Sequence, residues 1–135
     1  MLDLYRYAER RGVAVYHRNI PVSKGIAIPD AVCLDDDLRG PEERTVMAHD
    51  LGHVVTGSFY SLTDPAYIRQ RMEHRADKWA IKKLVPRNKL KAAIRAGYSE
   101  TWELAEYFGV TEELIRKAMW WYENGNLALD MVYNR

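Results

Sequence analysis

Apolar and polar positions alternate in the first third of the chain and recur with helical spacing beyond it. Leu2 to Arg11 opens as a short helix with Leu4, Tyr5 and Ala8 on one side and Gly12 past its end. Gly12 to Arg18 alternates around Val13, Val15 and His17, which predicts a strand. Gly25 to Ile28 and Ala31 to Leu34 predict two more, separated by Pro29-Asp30. Gly40-Pro41-Glu42-Glu43 starts a helix, with proline in the first turn and acids at the positive end of the dipole. It continues through Val46, Met47, Leu51 and Val54 and ends at Gly57-Ser58. A loop carrying Phe59 and Tyr60 leads to a helix from about Pro65 to Val85, stopped by Pro86. Further helices are expected over Asn88–Ala96, Trp102–Phe108 and Glu112 to about Glu123, where Asn124-Gly125-Asn126 breaks the pattern. The expected fold is α+β: a small three-stranded, mostly antiparallel sheet packed on helices.

At 135 residues the chain is one domain by length, large enough to bury a core. Its expected organisation is a sheet and site core over 1–97, a helical C-terminal part over 98–123 and a tail over 124–135. The net charge of +1 announces neither nucleic acid nor membrane. The single Cys33 excludes an internal disulfide and reads as a core thiol in a reducing compartment. The first residues lack the apolar core of a signal peptide, and no apolar run nears the ~20 residues of a membrane helix. A soluble cytoplasmic protein is expected. Charge is segregated: Arg69 to Arg95 holds ten Lys/Arg against Glu73 and Asp77 alone. From Glu100 onward seven acids face three basic residues.

The chemistry concentrates at His49-Asp50-Leu51-Gly52-His53. Histidines at i and i+4 share one helix face and reach one ion, and an acid follows the first. A catalytic zinc takes three protein ligands and keeps one position open, so a third ligand must come from a neighbouring helix. Glu73 is the best placed. Glu73, Ala76, Asp77, Ala80 and Leu84 form one stripe that must face the core, and two acids on it are costly to bury unpaired. A metal with its histidine ligands satisfies both. Glu73 would bind the ion, and Asp77 would accept the free N–H of a ligating histidine. His74 is a rival ligand, but it points off the stripe. His17 reads as a strand surface residue. The nitrogen and oxygen donor set suits one zinc ion.

With these motifs in view, the chain resembles the ImmA/IrrE-type metallopeptidases, relatives of the thermolysin-like zinc peptidases. The resemblance rests on His49-Asp50-Leu51-Gly52-His53, on Glu73-x-x-Ala76-Asp77-x-Trp79-Ala80 and on Leu84-Val85-Pro86, and extends over about residues 25–122. It implies a zincin-like fold, zinc ligands His49, His53 and Glu73, and a catalytic acid at Asp50. It also implies a small cytoplasmic protein of a phage or mobile element. The implied partner is a helix-turn-helix repressor, cleaved or inactivated to release the genes it silences. The chain departs from the family at Asp50, where members carry Glu. Asp keeps the basicity but is one methylene shorter, and a misplacement of about 1 Å can cost on the order of 10²-fold in rate.

Two other readings compete. One is a zinc protein that sequesters a repressor without cutting it. The other is direct nucleic-acid binding through Trp102–Trp121, which looks like a helix-turn-helix. There the first turn of the second helix opens Thr111-Glu112-Glu113, and acids facing phosphates argue against it. Tyr60, Tyr67, His74 and Tyr122 qualify by type as oxyanion stabilisers. A substrate segment is expected to add to a sheet edge, with Ala31–Leu34 as the candidate strand.

Overall fold

The computed structural model describes residues 2–133, with side chains over 3–125. In chain order the elements are α1 (Leu2–Arg10), β1 (Ala14–Arg18), β2 (Gly25–Ile28), β3 (Ala31–Asp35), α2 (Gly40–Thr56), α3 (Ala66–Leu84), α4 (Arg87–Arg95), α5 (Thr101–Phe108) and α6 (Glu112–Tyr133). The three strands form one sheet in the order β1-β3-β2. β2 and β3 make the expected antiparallel hairpin, but β1 pairs with β3 in parallel, so the sheet is mixed. The segment between β1 and β2 is long enough for the chain to cross over and return on the far side of β3. β3 is therefore central, with both edges paired, and cannot be the strand that accepts a substrate segment. The edge strands are β1 and β2.

α2 covers one face of the sheet, packing on β2 and β3, and α3 packs against α2. Val32 and Leu34 point into this layer with Met47, Leu51 and Ile81. The opposite sheet face stays open. Tyr16, Cys33 and Ile26 lie side by side across it, so Cys33 is half-buried on that face rather than in the core. The C-terminal helices are not an appendage. Leu104, Phe108, Leu114, Ile115 and Trp121 belong to the same apolar cluster as the sheet and α2. Glu100 and Glu103 form a reciprocal capping box at the start of α5. Thr111 N–H donates to Thr45 Oγ1 at 3.1 Å, tying the start of α6 to α2. The break expected at Gly125 is a kink (φ 75°, ψ 164°). Helix resumes beyond it to Tyr133, through the helix-favouring Leu127-Ala128-Leu129. The last two residues of the expected tail, 134 and 135, lie outside the described residues.

α2 and α3 meet most closely at Gly52. A methyl group there would lie 2.6 Å from the Ala76 carbonyl oxygen and 3.0 Å from Ala76 Cα. Backbone meets backbone at this point, and no rotamer change can relieve a clash. Gly52→Ala should therefore destabilise the protein by about 1–3 kcal/mol, although alanine is the better helix former. A thermal melt that shows Gly52→Ala equal to or above the parent would refute this contact.

Candidate metal centre

Gly52 stands between His49 and His53 on α2, and Ala76 stands between Glu73 and Asp77 on α3. Pressing the two small residues together brings the four functional side chains into one cluster. His53 Nε2 lies 3.2 Å from His49 Nε2. Glu73 bridges the pair, with Oε1 at 2.9 Å from His49 Nε2 and Oε2 at 3.0 Å from His53 Nε2. Among the described residues, His49, His53 and Glu73 are the group able to hold a metal ion.

Each histidine presents Nε2 because its other nitrogen is committed. His49 Nδ1–H donates to Asp77 Oδ1 at 2.8 Å. His53 Nδ1–H donates to the Ser58 carbonyl at 2.7 Å. Carboxylate and carbonyl only accept, so both rings are held with Nε2 facing the cluster. The Ser58 contact comes from the helix end. Gly57 at φ 65° turns the chain back beneath His53. Asp77 Oδ2 lies 3.4 Å from Lys117 Nζ on α6. Tyr60 donates its O–H to Glu73 Oε2 at 2.7 Å. Phe59 stacks on the His53 ring.

These donors fit zinc. Tetrahedral coordination with bonds of about 2.0–2.1 Å places ligand atoms roughly 3.3 Å apart, close to the three separations found here. Two imidazole nitrogens and one carboxylate are a zinc peptidase donor set. The electrostatics agree. Burial opposes a charge on His49, yet the bonds to Asp77 and Glu73 outweigh it and push its pKa up to about 10 in the protein chain alone. Burial would raise Glu73, but His49, His53 and Tyr60 hold it well below the usual carboxylate range. Asp77 is likewise lowered, by His49 and then Lys117, against its burial. Glu73 and Asp77 thus hold a positive charge between them, carried in the protein chain alone by His49.

Asp50 lies beside this group, not within it. It is 6% exposed, and its Oδ2 has no hydrogen-bond partner among the described residues. The carboxylate presses on β2: a Cβ on Gly25 would fall 2.1 Å from Oδ2. Burial drives its pKa up to about 6, against the pull of His49 and His53. A buried carboxylate oxygen without a partner among the described residues, at the rim of a donor cluster, is placed to meet a water or a substrate N–H.

A cleft of about 1010 Å³ opens over the cluster. β2, α2, the loop after α2, α3 and the start of α6 form its walls. Tyr60 and His74 line it, whereas Tyr67 and Tyr122 do not; Tyr122 instead donates to the Val85 carbonyl. His74 contributes no atom to the donor group. His17 lies apart, bonded to the Tyr5 hydroxyl at 2.8 Å. The roles of Ser58, Gly25 and Lys117 were not legible beforehand. Only Gly57, the stop signal after the histidine helix, hinted that the chain returns there.

A mixed three-stranded sheet backed by an i, i+4 histidine helix, with a glutamate on the next helix, defines a zinc metallopeptidase-like domain. The family model for the IrrE N-terminal-like domain, a peptidase family, matches residues 8–119, and the chain belongs to that family. A search of curated proteins gives no match. Among the described residues, no helix is long and apolar enough to cross a membrane.

Two measurements test the electrostatics. At pH 7 His49 of the metal-free protein carries a proton on Nε2, so zinc binding should release about one proton per ion. Calorimetry in buffers of different ionisation enthalpy reads it, and no release would contradict the raised pKa. For Asp50 the folded pKa is raised from 3.8 to about 6. Its favourable contribution is therefore complete below about pH 4 and lost as the pH rises through 6. Asp50→Asn should then stabilise chelator-treated protein at pH 8 by on the order of 2 kcal/mol and have little effect at pH 4. A gain of equal size at both pH values would refute the assignment.

Proposed function

We propose that the chain is a zinc-dependent endopeptidase that cuts a protein substrate with a metal-activated water. The observation that carries this reading is the convergence of two Nε2 atoms and one carboxylate, each histidine locked by an acceptor behind it. Zinc, when bound, supplies Lewis acidity toward a carbonyl and makes a neighbouring water acidic. The chain's own residues supply the rest. His49, His53 and Glu73 hold the ion. Asp50 takes the proton of the attacking water on its carboxylate and passes it to the leaving amine. The Tyr60 hydroxyl, which donates to Glu73 in the cleft, is the candidate oxyanion donor in this reading.

The substrate lies extended along the free edge of β2, the cleft wall nearest Asp50. Val22 and Leu62, 87% and 85% exposed, flank this cleft and would contact apolar side chains of the substrate. The target class in this reading is the one the sequence resemblance implies, a helix-turn-helix repressor of a phage or mobile element. A second reading is a zinc protein that captures such a repressor without cutting it. The position of Asp50 favours it, because the shortened carboxylate rests against Gly25 and its Oδ2 has no hydrogen-bond partner among the described residues.

The two readings separate in one assay. Zinc-loaded protein and its Asp50→Glu variant are incubated with a helix-turn-helix repressor, taken from beside the gene where one is encoded there. Discrete fragments should appear, vanish with a chelator, and form faster with Asp50→Glu by on the order of 10²-fold. Equal rates would refute the geometric account of Asp50. Intact repressor bound by both forms would establish capture instead of cutting.

A further inference from the structure

The free edge of β2 is already occupied at Gly25, from within the chain. The bond from Asp35 N–H to the Lys24 carbonyl, at 2.9 Å, sets the phase of the β2–β3 ladder. In an antiparallel pair, alternate residues turn their N–H and C=O away from the partner strand. Gly25, the next residue along and opposite Leu34, therefore directs both groups away from β3. Both meet the same side chain. Gly25 N–H donates to Ser23 Oγ at 3.3 Å, and the Ser23 hydroxyl donates to the Gly25 carbonyl at 2.8 Å. One hydroxyl, acting as acceptor and donor, thus holds the two backbone groups that an added strand needs. The Cα of Gly25 is meanwhile closed off by Asp50. Ser23 itself is exposed, so it can turn away without disturbing the core.

We propose that Ser23 is an internal stand-in for the substrate main chain, and that an extended peptide pairs with β2 at Gly25 only by displacing the Ser23 hydroxyl. This rests on the reading that substrate docks at the β2 edge. Ser23 then sets a threshold. A peptide that makes several further contacts in the cleft pays the displacement easily, and a short or poorly matched one does not. The contact also covers an open strand edge between substrates, where another chain would otherwise pair.

The probe is fluorescein-labelled casein, an unfolded chain, with zinc-loaded protein carrying Asp50→Asn to keep the probe intact. Fluorescence anisotropy gives the affinity. Adding Ser23→Ala should tighten binding about 3- to 10-fold, the size of one or two modest hydrogen bonds. Ser23→Thr, which keeps the hydroxyl, should match the serine form. Equal or weaker binding by Ser23→Ala, or no casein binding by any form, overturns the proposal. Casein turnover by the Asp50 protein separates the two ideas. Casein bound with the expected Ser23 dependence but never cut defeats the peptidase reading and leaves Ser23 in place. Casein cut with a KM that ignores Ser23→Ala does the reverse.

Discussion

Everything at the metal centre depends on one close approach, the contact of Gly52 with Ala76. A helix pair cannot come nearer than its side chains allow, and here one partner has no side chain. The contact places His49 and His53 one step either side of the meeting point on α2. It places Glu73 and Asp77 likewise on α3. No loop is needed to gather the donors. The rest of the fold serves this pair: the sheet supports α2 from behind, and the start of α6 is tied to α2 through Thr45 and reaches Asp77 through Lys117.

Polar groups held this closely are costly unless each is answered. Nearly all of them are. Asp77 answers His49, the Ser58 carbonyl answers His53, and Glu73 is met by both rings and by Tyr60. Asp50 Oδ2 has no hydrogen-bond partner among the described residues, at the position on which water activation would rest. Functional sites are where such violations of local economy are expected. The shorter acid also changes what the neighbouring strand must be. With the carboxylate drawn against β2, a side chain at residue 25 would have to displace it. Asp50 and Gly25 are therefore in close contact across two elements.

The sheet contributes little to the core beyond β3, and its value lies in its edges. β1 closes one side and leaves β2 as the wall of the cleft. The polarity of the cleft is mixed. Carboxylates and imidazoles lie at its floor, and exposed apolar residues flank it. This suits an extended chain whose backbone pairs with the strand while its side chains find apolar surface. The basic stretch from Arg69 to Arg95 gains a plain explanation on one side. Its two acids, Glu73 and Asp77, are both drawn to the histidines of the candidate site.

Much of this was legible in the sequence because it is local. Helical spacing put His49 and His53 on one face and Glu73 and Asp77 on one stripe. Glycine and proline marked most helix ends to within a residue or two. The family motifs gave the class. What local pattern cannot carry is the pairing of distant segments. Alternation predicts that three strands exist but not which one lies in the middle, so the parallel partnership of β1 with β3 and the exposed edge of β2 were decided by tertiary structure. The same holds for Cys33, apolar by type yet turned to the open sheet face. It holds for the Ser58 carbonyl, which any residue could have supplied. Donor types and their spacing along each helix are properties of the chain. Their convergence, and the seating of Asp50 against Gly25, follow from how closely two helices and a strand can pack.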